Sequence, residues 1–432
     1  MNILIFTRSE WSNENSTGNT LSNFFGGFSK TNIANIYMRD AMPDNKICTN
    51  FFSISDKQIL KSLLNRKFIP GRHFYYENVS KYCHNEETSL ETKLYKKFRV
   101  HNSTIPLLLQ NALWNSNKWK NKNLDQFLED FKPDIIFSPS FHTTYTHKIL
   151  WYIQKKTSAK LVLFHADDYL KKEGENMMER QFYKKRKEVI LKSINLASLN
   201  YCISKEQQNE YENKLNKNMK LLYKGADFRE APDYNISVQN SIKIIYIGSL
   251  YYGRWKTLAK LANNIKKVNE KSDVKFVLNI YSQYKPDEKI LNSIEIKGTS
   301  KFKGKIPNDI VSKVMKEADI VLHVESFEEK EKKITRLSFS TKIVDCLNSG
   351  RTLMAIGDEK LASINYLSEN DAAIVINSED RIEKKLLEIQ KDTSILSKYA
   401  LKSWEQGEKN HNINTIRREF YNDLVNLYED VN

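Results

Sequence analysis

The sequence predicts an α/β protein made of two doubly wound parallel-sheet domains, and three observations carry that expectation. Short apolar runs alternate with longer amphipathic segments almost from end to end. Several of those runs are flat rather than alternating, which is how strands buried on both faces read. The series halts once, in the polar stretch 225–241 around Pro232, and then restarts. That break divides 432 residues into two cores of ordinary size.

In the first half the strand candidates are residues 2–7, 33–38, 50–53, 135–138, 160–165, 198–204 and 219–223. Leu21, Phe24, Phe25 and Phe28 recur at helical spacing directly after the first strand. Phe182, Val189, Ile190 and Ile194 mark a second helix, long and basic. In the second half, strand 242–248 leads into a helix through Leu258, Leu261, Ala262 and Ile265, and strands 276–281, 320–324, 353–356 and 374–376 follow. Strand alternating with helix implies parallel sheets of right-handed βαβ units. Beyond about residue 393 only helices are expected, the last over 413–431, returning to the first domain. The boundaries that follow are 1–225 and 226–410 for the two domains and 411–432 for the returning helix.

Bulk properties narrow the classes. Apolar residues make up 40% of the chain, enough for packed cores, so disorder is excluded. Cys48, Cys83, Cys202 and Cys346 lie far apart, giving neither a zinc motif nor a disulfide framework, as suits a reducing compartment. The opening apolar run is too short for a signal peptide, and no stretch approaches the 18 or so apolar residues that span a bilayer. A cytoplasmic protein is expected. Its formal net charge of +15 points to an anionic partner: a phosphorylated small molecule, nucleic acid or an acidic bilayer surface.

The second half carries the sharper signal. Ile244-Ile245-Tyr246-Ile247-Gly248-Ser249-Leu250 runs through Gly253-Arg254-Trp255-Lys256-Thr257-Leu258 into a helix. Later, Leu337-Ser338-Phe339-Ser340-Thr341-Lys342-Ile343-Val344-Asp345-Cys346-Leu347 leads to Gly350 and the next apolar strand. This pair resembles the donor-binding half of the GT-B glycosyltransferases, closest to the retaining, family 4-like group that builds bacterial surface polysaccharides. The resemblance implies two Rossmann-like domains facing across a cleft, with the C-terminal helix crossing back to the N-terminal domain. It further implies that Arg254 and Lys256 hold the donor diphosphate and that Asp345 holds the ribose. Ser340 and Thr341 open the helix that faces the phosphates, and Gly248 and Lys342 complete the donor set. Fixed cations and a helix N-terminus would stabilise the diphosphate as it leaves. Two departures stand out: Ser249 replaces the arginine that usually follows the first glycine, and Leu337 replaces the first of the usual two acids.

In the first half, Ser16-Thr17-Gly18-Asn19 is expected as a small-residue loop where backbone approaches a ligand; it is not a GxGxxG fingerprint. Strand 160–165 ends in His165, and the resemblance implies that a histidine there touches the transferred sugar; His142 is the reserve. Residue chemistry alone leaves plainer readings open. Arg254 and Lys256 read equally as solvated charges, Asp345 as a surface acid and Ser340 and Thr341 as helix caps. His165 also reads as a satisfied core histidine and Gly18 as a turn glycine. Asp167-Asp168 reads as solvated acids rather than a metal site, and no metal is expected. Trp114 and Trp119, set among lysines, fit either membrane-surface contact or a solvated helix with packed tryptophans, and Lys184-Lys185-Arg186-Lys187 is a second basic cluster. The charged stretch Glu328 to Lys333 reads as a mobile surface segment.

The expectation is therefore a metal-independent, retaining hexosyltransferase without a cofactor. It takes a UDP- or GDP-sugar as donor and a glycan or lipid-linked glycan as acceptor, in capsule, lipopolysaccharide or exopolysaccharide assembly. It would rest peripherally on the anionic inner face of the membrane and bind no nucleic acid. A GT-B-fold sugar-nucleotide epimerase and a non-catalytic partner subunit are the rival readings, the latter kept open by Leu337.

Overall fold

The structure is a computed structural model that describes residues 1–28, 31–78, 104–170 and 176–429; Cys83 lies outside them. It divides into two compact units. Unit 1 comprises Met1–Cys202, Leu215–Leu222 and Arg417–Asn432, and unit 2 comprises Ile203–Lys214 and Tyr223–Ile416. Each is an α/β unit built on an open sheet.

The sheet of unit 1 has eight strands: β1 (Asn2–Phe6), β2 (Asn32–Tyr37), β3 (Asn50–Ser53), β4 (Arg72–Tyr75), β5 (Ile135–Pro139), β6 (Lys160–His165), β7 (Leu199–Cys202) and β8 (Lys220–Leu221). Their order is β4-β3-β2-β1-β5-β6-β7-β8, and every neighbouring pair is parallel except β3 with β4. Ile3, Leu4, Ile5 and Phe6 of the central strand are wholly buried, as the flat run predicts. The antiparallel β4 was not anticipated. Its Arg-His-Phe-Tyr sequence buries only Phe74 and so carries no apolar run.

The chain leaves β1 on one side to build β2 to β4, then returns to place β5 on the other. Strand order therefore reverses between β1 and β5, the topological switch point where open α/β sheets bind ligands beyond their carboxyl ends. The first helix, Ser16–Phe25, buries Gly18, Leu21, Phe24 and Phe25. Phe24, Phe25 and Phe28 meet Phe420 of the last helix, Ile413–Glu429, at ring-centroid distances of 5.8, 5.3 and 5.7 Å. Phe137 and Tyr201 close around the same ring at 5.7 and 5.6 Å. Arg417 then donates from Nε to Asn23 O (2.7 Å) and from Nη2 to Ser22 O (3.2 Å), satisfying carbonyls at the end of the first helix.

Trp114 and Trp119 are buried, as the packed-tryptophan reading has them, and belong to the core of unit 1. The Trp114 indole donates to Asp56 Oδ1 (2.5 Å) and that of Trp119 to Trp114 O (3.0 Å). In the second basic cluster Lys184, Lys185 and Lys187 are exposed on the helix Met177–Leu196, whereas Arg186 is buried.

Unit 2 has six strands: β9 (Ser241–Ile247), β10 (Lys275–Tyr281), β11 (Ser300–Gly304), β12 (Ile320–Val324), β13 (Thr352–Ile356) and β14 (Ile374–Ile376). All pairs are parallel, in the order β11-β10-β9-β12-β13-β14, so its switch point lies between β9 and β12. The helix Arg254–Asn269 buries Leu258, Leu261, Ala262 and Ile265, the predicted face. The charged stretch that reads as a mobile segment instead enters a helix, Glu329–Thr335. The edge strand β11 was also missed, because Ser-Lys-Phe-Lys-Gly is half polar and half exposed. Cys48, Cys202 and Cys346 are buried. Among the described residues no helix is long and apolar enough to cross a membrane, and no group of three or more His, Cys, Asp or Glu side chains is placed to hold a metal ion.

Four histidines among the described residues are buried. His147 donates from Nε2 to Phe141 O (3.0 Å) and accepts at Nδ1 from the Ser193 hydroxyl (2.7 Å). His411 donates from Nδ1 to Lys224 O (3.2 Å) and accepts at Nε2 from Tyr366 (2.9 Å). Burial lowers the pKa of His147, His165 and His411 to about 4 and that of His323 to about 3.

Two outcomes are expected. Removing the ring at the centre of the aromatic cluster (Phe420→Ala) costs about 3–5 kcal/mol, measured by denaturation followed through tryptophan fluorescence. A loss below about 1 kcal/mol would mean the last helix does not pack as described. The second outcome concerns pH. Each buried histidine titrates lower in the folded than in the unfolded chain, so its contribution is full above about pH 6.5 and is lost as pH falls toward 4. Stability should decline on acidification from about pH 6.5 to 5, each histidine contributing up to about 1.4 kcal/mol per pH unit. His165→Gln should flatten that slope by one such increment; an unchanged slope would show that His165 is not held neutral.

Candidate functional site

The expected donor residues of unit 2 gather at the carboxyl ends of β9 and β12. Gly248 follows β9, its N–H donating to Tyr281 O (3.0 Å). A Cβ there would lie 2.4 Å from the Tyr246 hydroxyl, and that hydroxyl donates to Ser249 O (2.6 Å). Glycine thus lets the strand turn sharply, with a buried phenol as its fixed post. The turn continues through Tyr252 and Gly253, both with positive φ (56° and 69°), into the helix Arg254–Asn269.

Arg254 opens that helix and points back at the end of β12. Its Nη2 donates to Glu325 Oε1 at 2.8 Å and Oε2 at 3.0 Å, and its Nε to Oε2 at 3.2 Å. The side chains are 16% and 4% exposed, so this is a buried, forked ion pair. Burial pushes the Glu325 carboxyl up while Arg254 opposes it, and the carboxylate holds Arg254 protonated. Thr257 donates to Glu325 O (2.8 Å), and His323 Nε2 lies 3.5 Å from Oε1. Arg254 is thus bound by a protein carboxylate rather than left as a solvated charge. Lys256, two residues on, is exposed and pairs with Glu328.

The second motif supplies the opposite wall. Lys342 begins the short helix Lys342–Leu347, and Asp345 follows at i+3 on the same side, while Ile343, Val344, Cys346 and Leu347 are buried. Thr341 stands at the N-cap without a side-chain capping bond, so its hydroxyl does not serve the helix end. Ser340 is half-buried beside it, and its carbonyl accepts from Ile343 N (3.0 Å). Asp345 Oδ1 accepts from Lys224 Nζ at 2.6 Å. Lys342 Nζ reaches over the end of β9 to donate to Ile247 O (3.2 Å). Although the residue is exposed, desolvation by the surrounding protein lowers its ammonium pKa; Cys346 and Asp345 oppose that shift, and Arg254 and Lys224 add to it.

Four cations therefore surround the switch point. Arg254 is neutralised by Glu325, Lys256 by Glu328 and Lys224 by Asp345. Lys342 alone of the four has a carbonyl as its hydrogen-bond acceptor and no ion pair among the described residues. Lys224 and Glu325 were missed in the sequence. They lie 121 residues from Asp345 and 71 from Arg254, and only the fold brings them in. Leu337, in the place of the usual first acid, is buried, and its carbonyl accepts from Ser204 Oγ (2.7 Å).

In unit 1, Gly18 is placed differently from the expected loop, and His165 stands at its strand end with a buried side chain. Gly18 is not in a loop but in the first helical turn, and its N–H is taken by the Asn15 capping side chain (2.8 Å). A Cβ there would come within 2.0 Å of Ser12 O, so the residue is glycine to let the preceding loop fold back on the helix. His165 is 1% exposed, with Nε2 3.2 Å from Asn200 Oδ1, so as it stands it is a core histidine closed to ligand. His142 is half-exposed beyond β5, with Arg8 Nη1 3.1 Å from its Nε2. Asp167 accepts from Tyr169 (3.1 Å) and Asp168 from Leu170 N (3.2 Å).

No protein-family model matches the chain, and no curated protein matches it. Solved structures do. HepE (Alr3699) from Anabaena, in complex with UDP and glucose, is 13% identical with a TM-score of 0.62, over 99% of this chain and 100% of that one. The sucrose-phosphate synthase of Thermosynechococcus elongatus is 8% identical with a TM-score of 0.65, over 99% of both chains. A point mutant of TarM from S. aureus, bound to fondaparinux, α-GlcNAc-glycerol and UDP, is 16% identical with a TM-score of 0.53, over 74% of this chain and 59% of that one. These neighbours are GT-B glycosyltransferases. Likeness at such low identity bears on architecture, and there it is nearly end to end: the chain has the GT-B, glycosyltransferase-like fold.

Proposed function

We propose that the protein is a glycosyltransferase whose unit 2 binds a nucleoside diphosphate sugar, a UDP-sugar foremost, and whose unit 1 binds a glycan or lipid-linked glycan acceptor. The carrying observation is Lys342, an ammonium without a carboxylate partner among the described residues, fixed over the end of β9 at the switch point of the unit 2 sheet. A diphosphate seated there would supply the missing counter-charge, and the lowered Lys342 pKa would return upward on binding. HepE holds UDP, and in a further complex UDP-glucose, on the same fold.

The roles follow from the geometry. Lys342 meets the diphosphate, with the uncommitted Ser340 and Thr341 hydroxyls beside it. Asp345, steadied by Lys224, receives the ribose hydroxyls. Arg254, already satisfied by Glu325, is a positioning residue that sets the field and the turn. Lys256 contributes less, because Glu328 claims it. In the retaining transfer we favour, the sugar C1–O bond to the diphosphate breaks, and the acceptor oxygen bonds to C1 on the same face. The acceptor hydroxyl proton passes to the departing diphosphate oxygen. Assembly of a bacterial surface polysaccharide is the setting this chemistry suits, and the exposed lysines of 184–187 could hold such an enzyme against an anionic inner leaflet.

The test is a thermal-shift and calorimetric panel of UDP, GDP, ADP, CDP and CMP. A nucleotide at about 100 times its dissociation constant adds about 2.7 kcal/mol of stability, a clear shift in Tm. UDP should give the largest response. Lys342→Ala should weaken it at least tenfold, Asp345→Asn by a smaller factor, and Lys256→Ala least. If no nucleotide binds the wild type, the donor reading fails and the non-catalytic partner reading takes its place. Epimerisation of the donor sugar without any acceptor would favour the epimerase reading over transfer.

A further inference from the structure

We infer that unit 1 contains an oxyanion site centred on Arg8, so that the molecule bound by this unit carries a phosphate or carboxylate group. Arg8 follows β1 and His142 follows β5, the two strands that flank the switch point of this sheet. The position is rigid. Arg8 O accepts from Met38 N (3.2 Å), while the preceding Thr7 is tied to Ile36 O (2.9 Å) and by its hydroxyl to Ser9 O (2.8 Å).

The guanidinium is half-buried and its partners are neutral. An arginine can only donate, so at 3.1 Å His142 Nε2 must be the acceptor, which fixes that ring as neutral with its proton on Nδ1. Nη2 donates to Gln110 Oε1 (3.4 Å), and Gln110 in turn donates to Asp56 Oδ2 (2.9 Å). The buried Tyr145 phenol also faces the guanidinium, and burial holds that phenol in its protonated form. Asp56 is thus a neighbour once removed, itself bonded to the Trp114 indole. No carboxylate forms an ion pair with Arg8 among the described residues. Among the described residues the charges near Tyr169 include Asp167, bonded to its hydroxyl, Asp168 and Arg186.

A second observation points the same way. Arg186 is 3% exposed, donates from Nη2 to Tyr169 O (3.3 Å) and stacks on Tyr183, yet its buried Nε has no hydrogen-bond partner. The Tyr169 ring lies 5.9 Å from that of His142, which joins the two arginines into one cluster. A half-buried arginine held open by neutral partners is suited to a forked contact with a ligand oxyanion. Hydroxyls of a neutral sugar would not require it.

That the oxyanion belongs to an acceptor rests on the glycosyltransferase reading; the site itself does not. The experiment titrates inorganic phosphate, glucose 6-phosphate, glucuronate and neutral glucose into the full chain by calorimetry at constant ionic strength. It is repeated in Lys342→Ala, which removes the anion contact of unit 2. At least one of the three anions should bind both proteins alike, and glucose should bind at least tenfold more weakly than that anion. Arg8→Gln, whose amide can still donate to His142 and Gln110, should lose the anion at least tenfold, and Arg8→Lys should retain most of it. Phosphate and glucose 6-phosphate binding without glucuronate would assign a phosphorylated ligand, and the converse a carboxylated one. Equal binding by Arg8→Gln and wild type, or no anion binding in Lys342→Ala, overturns the proposal. Should Arg8→Gln not fold, the contrast of anion with glucose in Lys342→Ala decides. Failure of UDP to bind would defeat the donor reading while leaving these results intact.

Discussion

Both units depend on one constraint: a parallel strand cannot be joined to its neighbour by a tight turn, so each connection must cross a face of the sheet. The crossing helices bury both faces of the central strands and leave those strands largely apolar. They also deliver every strand-to-helix loop to the carboxyl edge. At the switch points, between β1 and β5 and between β9 and β12, the loops diverge instead of covering one another. The chemistry collects there because nothing else in such a sheet leaves backbone ends and polar side chains open to a ligand.

At the unit 2 switch point the charges are arranged by burial. A forked Arg254–Glu325 pair, nearly closed to solvent, contributes little to net stability, because desolvating both charges offsets most of their attraction. What it supplies is direction. It ties the first turn of the helix Arg254–Asn269 to the end of β12, across the two central strands. Desolvation is what lowers the Lys342 ammonium pKa; Asp345 opposes it, and the Arg254 guanidinium and Lys224 add to it. The arrangement favours an incoming anion without needing an arginine free to move.

The strands that carry the architecture were legible because burial on both faces leaves an unmistakable flat run, as in Ile3 to Phe6 or Ile320 to Val324. The edges were not. β11 alternates Lys with Phe, β4 buries one side chain in four, and neither differs in sequence from an exposed loop. The same limit applies to the site. Ser340, Lys342 and Asp345 lie in one short stretch, and it was the resemblance to the GT-B donor half that pointed to them. Glu325 and Lys224 act only through partners brought in by the fold, and no local pattern marks them. His165 stands at the strand end where it was read, and the sequence left open whether its side chain faces a ligand or the core. A strand buried on both faces gives no sign of which way its last side chain turns, and this one turns to Asn200. Gly18 was located as a close-approach glycine, but the approaching backbone is the protein's own.

The two sheets offer a comparison that sharpens the charge argument. Each sets an arginine beyond its central strand: Arg8 in the loop just after β1, and Arg254 farther on, at the start of the helix that follows β9. In unit 2 the adjacent strand, β12, runs directly into Glu325, which engages Arg254. In unit 1 the adjacent strand, β5, leads to His142, whose neutral ring can accept one hydrogen bond and cancel no charge. A carboxylate beside Arg254 makes that residue part of the scaffold. An imidazole beside Arg8 orients the guanidinium and leaves its charge to act. An arginine beyond the central strand is therefore braced by a carboxylate in one unit and faced by a neutral ring in the other, and the neighbouring side chain makes the difference.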